Sequence, residues 1–156
     1  MKLNSLVSRI HALRQEEIKH YESMLQLSQV QRRAIETGDT DELTRSTEEK
    51  GRLITLITAL ETQISGISEE VVAATGSRVH VCNQANGGDG PCALNVRMAG
   101  IIREILVFER ENQALLEQSI AEVAGEIRSA DQGGRAIRAY HGGADKGDSA
   151  VFDDSM

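Results

Sequence analysis

The chain has 156 residues, 24 of them acidic and 17 basic, for a net charge of −7, which argues against a nucleic-acid surface. With no Trp, two Phe and two Tyr, Leu, Ile and Val must build the core, and a helical protein fits that inventory better than a sheet protein. No apolar run is long enough for membrane insertion, and the charged start MKLNSLVSRIHALRQEE lacks a signal-peptide pattern, so a cytoplasmic location is expected.

The first predicted element is a helix over residues 2–37. Leu3, Leu6, Val7, Ile10, Leu13, Ile18, Tyr21, Met24 and Leu25 recur at steps of three and four, with Arg14, Glu16, Lys19, Glu22 and Arg32 between them. Glutamines enrich its later half, which implies a moderately polar packing face. Gly38 can close this helix with a left-handed residue, and Asp39 can cap the next with Glu42 at its third position. So short a connection makes the neighbours antiparallel.

A second helix is expected over 40–65. Leu43, Leu53, Ile54, Leu56, Ile57, Leu60 and Ile64 form its stripe, and Ser46, Thr47 and Lys50 fill the weak first half. Gly66 marks its expected end, with Ser68 starting a short helix over 68–75 or the helix continuing through a bend. From 76 to 92 the periodicity vanishes into a glycine-rich stretch read as a long flexible loop.

The third helix, over 93–130, carries Leu94, Met98, Ile101, Ile102, Ile105, Leu106, Leu115, Leu116, Ile120, Val123 and Ile127 on one side, interrupted by Asn112. A lone helix of this kind leaves its stripe wet, so the three long helices are expected to pack as an antiparallel all-α bundle over residues 1–131. Residues 132–156 contain isolated apolar residues among glycines and read as a disordered tail. Ile137, Tyr140, Val151 and Phe152 in that tail suit a solvated segment, one that folds on a partner, or one that docks back onto the bundle, and residue chemistry leaves all three open.

Motifs for chemistry are sparse. Glu17-x-x-His20 has the spacing of a dimetal bundle ligand pair, but no second such pair exists, and it reads as an exposed polar pair. His80, Cys82 and Cys92 lack a fourth ligand for zinc, and nothing forces a disulfide between the two cysteines. Asn86-Gly87-Gly88-Asp89-Gly90 neither follows a confident strand nor carries the Lys-Ser or Lys-Thr of a phosphate loop. No catalytic residue, metal or cofactor is expected, and the chain does not read as an enzyme.

Nearly the whole chain resembles the FlgN family, bacterial flagellar export chaperones for hook–filament junction proteins. The matching pieces are Glu17-x3-Tyr21-x3-Leu25, then Gln31-Arg32-Arg33-Ala34-Ile35-Glu36-x-Gly38-Asp39, with Leu43 and Glu49-Lys50 following. Further along, Glu111-Asn112-x2-Leu115-Leu116 and Tyr140 before His141-Gly142-Gly143 resemble the family's third helix and tail. The resemblance implies a cytoplasmic type III secretion chaperone that holds hook-associated proteins unassembled and presents them to the export apparatus. It implies client contact on Leu115, Leu116, Ile120, Val123 and Ile127, extending to Ile137 and Tyr140 in a client-binding tail over 132–156. Asn112 is expected to set helix packing. The competing reading is a structural coiled-coil protein that self-associates through its long helices, and a homodimer stays open under either reading.

Overall fold

The computed structural model describes residues 2–76 and 91–144, and every described element is helical. Helix α1 runs Lys2–Thr37, α2 runs Thr40–Thr75 and α3 runs Pro91–Ala144. Contacts divide the chain into two units, one ending at Leu115 and the other beginning at Leu116. Helices α1, α2 and the first part of α3 make up the first unit as an up-down-up bundle. The all-α three-helix architecture is the one expected from periodicity.

The α1–α2 turn is built as the sequence requires. Gly38 sits at φ 70°, where a side chain would be strained. Asp39 accepts the Glu42 N–H at 3.0 Å, a side-chain cap for the first turn of α2.

Helix α2 takes the second of the two courses open at Gly66, continuation in place of a separate short helix. It passes through that glycine to Thr75 and closes on Gly76, whose φ is 70° and whose N–H donates to the Val72 carbonyl at 2.7 Å. A glycine inside a helix costs roughly 1 kcal/mol. On either side of it, Ile64, Ile67 and Val71 bury themselves with Ile10, flanked by Leu3, Leu6 and Leu13. Each fully buried aliphatic side chain is worth about 1.5–3 kcal/mol, so packing outweighs the local cost.

Helix α3 opens with Pro91, at a position where a missing N–H and a fixed φ suit the first turn. Leu94 and Ile105 bury in the first unit. The far end departs from expectation: the helix continues to Ala144, so residues 132–144 are helical instead of part of a flexible tail. Local interactions accompany this extension. Asp131 pairs with Arg135 at 3.1 Å, and the Arg138 Nε donates to the Gly134 carbonyl at 3.3 Å. Gly133 and Gly134 oppose it at about 1 kcal/mol each, which makes this the weakest stretch of the helix. The expectations for His80, Cys82, Asn86–Gly90, Val151 and Phe152 lie outside the described residues, as does the side chain of Cys92.

Candidate functional site

Among the described residues, three places depart from ordinary helix packing: a polar layer and a buried carboxylate inside the first unit, and an apolar stripe on the second.

The polar layer forms where the glutamine-rich half of α1 meets the weak first half of the α2 stripe. Lys50 is 7% exposed, and its Nζ donates to Gln31 Oε1 at 2.5 Å and to the Glu109 carboxylate of α3. Gln31 returns its Nε2 to Thr47 Oγ1 at 3.0 Å. Ser28, fully buried, donates to Glu109 Oε1 at 2.9 Å, and its carbonyl accepts from Asn112 Nδ2 at 2.8 Å. One lysine, one carboxylate and four small or amide side chains thereby join all three helices. Arg32 adds an ion pair to Glu111 and stands over the Phe108 ring at 5.1 Å. Such a layer has few ways to be satisfied: a slip of α3 by one turn would take the Glu109 carboxylate from Lys50, leaving it Gln31 alone, and would part Asn112 from the Ser28 carbonyl. Its role is therefore to fix the register of α3.

Glu17 is a second buried polar group, and the reading of Glu17 and His20 as an exposed pair fails for the glutamate. Its carboxylate is fully enclosed between α1 and α2, with Arg14 donating at 2.6 Å. Burial pushes the Glu17 carboxyl above its usual range; Arg14 opposes that shift, and Glu61 of α2 adds to it. Glu17 Oε1 is buried without a hydrogen-bond partner. Burial likewise raises the Tyr21 hydroxyl, with the charges of Glu61 and Glu17 adding to the effect and Arg14 opposing it. Among the described residues no three His, Cys, Asp or Glu side chains gather as a metal site.

Within the second unit, Leu116, Ile120, Val123 and Ile127 follow one another at helical steps, and Ile137 and Tyr140 lie on the same helix. All are exposed, Ile120 by 61%, Ile127 by 64% and Tyr140 by 79%. Tyr140 stacks edge-on with its neighbour His141, ring centroids 6.0 Å apart. Leu115, proposed from sequence with the others, is half-buried and is the last residue of the first unit. The helix thus gathers six of the seven sequence-proposed residues in one unit. Leu106 and Ile54, placed in packing stripes from sequence, are instead about half exposed, as is Leu56.

The FlgN protein family model matches residues 1–143. The chain belongs to the FlgN family. Comparison with curated proteins and with solved structures returned no match. The matched span covers the bundle and the apolar stripe together, and membership supports a chaperone-like role in flagellar export in the broad sense. Several residues that carry the resemblance in sequence are also those the structure buries in polar layers: Glu17, Gln31, Lys50 and Asn112. Sequence reading identified Asn112 and Lys50 as interruptions of apolar rows. The burial of Glu17 was not expected, although the residue stands in the resemblance and directly before the core residue Ile18.

Proposed function

We propose that this FlgN-family chain is a cytoplasmic type III secretion chaperone for hook-associated, hook–filament junction proteins. It holds them unassembled and delivers them to the export apparatus. The observation that carries this reading is the exposed apolar row Leu116, Ile120, Val123, Ile127, Ile137 and Tyr140 on a single helix. Isolated exposed apolar residues are ordinary on protein surfaces, but a row at helical spacing is the form a helix-in-groove or helix-on-helix partner reads. A polymerising client keeps amphipathic helices that would pair with one another, and covering one of them on this row prevents that pairing. Affinity then rests on a few anchors, with Ile127 and Tyr140 the best placed by exposure and size.

The stripe lies on a chain with a net charge of −7, which favours solubility and steers basic client segments towards it. No helix among the described residues is long and apolar enough to cross a membrane, and no chemistry is asked of any side chain. The test is co-purification with candidate junction proteins, repeated on a chain truncated after Ser129. Binding by the full chain and its loss on truncation are expected. Undiminished binding after truncation would reject the assignment of Ile137 and Tyr140. Absence of binding to every junction protein would favour a self-associating coiled-coil role instead.

A further inference from the structure

The second unit carries a pattern finer than helical amphipathicity. Leu116, Ile120, Val123, Ile127, Ala130, Gly134, Ile137 and His141 are separated by alternating steps of four and three, the 3.5-residue seam of a two-stranded coiled coil. Gly125 and Gln132 fall on the face opposite the seam. A seam of this kind asks for a second helix, and its own sequence indicates which one.

Laid antiparallel against a second copy, the seam closes on itself about its midpoint between Ile127 and Ala130. Ile127 then meets Ala130 of the other copy, Val123 meets Gly134, Ile120 meets Ile137 and Leu116 meets His141. In the two inner layers each large side chain faces a small one, so the helices approach closely and interdigitate. A side chain at Gly134 would meet nothing within 4 Å but the Arg138 guanidinium at 3.9 Å, so that position is open to an incoming residue.

The charges beside the seam discriminate between orientations. In the antiparallel arrangement Glu117 flanks Arg138 of the other copy, once on each side of the two-fold axis, and the remaining flanking positions bring no like charges together. In a parallel arrangement Glu126 would instead flank Asp131 of the other copy, twice. It would also stack Gly134 on Gly134 and leave a void at the seam. Repulsion and poor packing both disfavour it.

We infer that the α3 segment 116–141 is a self-complementary antiparallel docking surface for a second copy of this chain. The pairing uses the row that the proposed client would occupy, so the homodimer is a self-covered form from which a client must displace one copy. It stands without the client reading, because it is measured on the chain alone.

Sedimentation equilibrium of the full chain from low-micromolar to sub-millimolar concentration tests it. A reversible monomer–dimer equilibrium is expected. Ile127→Asp should abolish the dimer. Arg138→Glu turns two attractive flanking pairs repulsive and should weaken it about ten-fold. Adding Glu117→Arg to Arg138→Glu should restore it, a rescue that only the antiparallel register provides. Circular dichroism melts should show the bundle transition of all three variants unchanged, since none of these residues packs in the first unit. A chain monomeric throughout the range, a dimer indifferent to Ile127→Asp, or a double charge reversal that fails to rescue would each overturn the inference. None of those results touches client binding, which is read separately with a junction protein present.

Discussion

Asn112 of α3 donates to the main-chain carbonyl of Ser28 in α1 at 2.8 Å, and three residues later the first unit ends. The last buried side chain of α3 in the bundle is thus a polar one, read by the backbone of a neighbouring helix. Apolar packing alone tolerates sliding of one helix along another, whereas an amide against one carbonyl does not.

Asn112→Ala removes this hydrogen bond and part of the packing around it. A net hydrogen bond is worth about 0.5–1.5 kcal/mol, and truncation adds a small cavity, so a loss of about 1–2 kcal/mol is expected. For a unit of this size that is a fall in Tm of very roughly 4–15 °C, read by calorimetry. Asn112→Asp should be worse, because it places a carboxylate against the Ser28 carbonyl.

Lys50 offers a second check on the same layer. Lys50→Met leaves Gln31 and Ser28 with poorer partners, but Glu109 is 46% exposed and can turn to water. The cost should be about 1–2 kcal/mol, below that of breaking a fully buried pair. Lys50→Met combined with Glu109→Met should recover part of it, because no charge then lies in the layer. Urea denaturation of the two single variants and the double gives the coupling directly.

The pH dependence of stability carries the signature of Glu17. Its folded pKa is raised above the ordinary 4.5, so the folded chain holds this proton more tightly than the unfolded chain. The contribution is fully present below the unfolded pKa and is lost as pH rises through the folded one. Glu17→Gln supplies a permanent donor and removes the buried charge. It should raise Tm at neutral pH and flatten the rise in stability that the parent shows between neutral pH and about pH 5. Lower stability of Glu17→Gln at neutral pH would mean that the Arg14 pair outweighs the burial of the charge.

How much of this was legible in the sequence depends on which forces set each feature. Gly38 with Asp39 announced the α1–α2 turn because caps and left-handed glycines act within a few residues. Ser46, Thr47 and Lys50 stood out as a polar stretch in an apolar stripe, and Asn112 as a gap in another. The glutamine-rich half of α1 hinted at Gln31, but Glu109, which closes the layer from the third helix, has no local signature. Gly66 left two courses open for the same reason: its helix-breaking tendency is local, whereas the burial of Ile67 and Val71 against Ile10 is not. On the stripe, spacing placed Leu116, Ile120, Val123 and Ile127 on the packing side of the third helix and the resemblance made them proposed client contacts, while the glycines at 133 and 134 hid the continuation of the helix to Ile137 and Tyr140.

Substitutions on the stripe should separate stability from recognition. Ile120→Asp with Ile127→Asp should leave the bundle's melting transition within about 0.5 kcal/mol of the parent, as exposed positions do. The same pair should weaken junction-protein binding by at least a hundred-fold, the loss of about two anchor residues. Isothermal titration calorimetry reads the binding and a thermal melt reads the stability.

The division between a closed bundle and an open recognition helix is tested most directly by hydrogen exchange of the full chain, with and without a hook–filament junction protein. New protection is expected in residues 116–140, with α1 and α2 unchanged. Protection that appears on α1 or α2 while residues 116–140 exchange as before would contradict it.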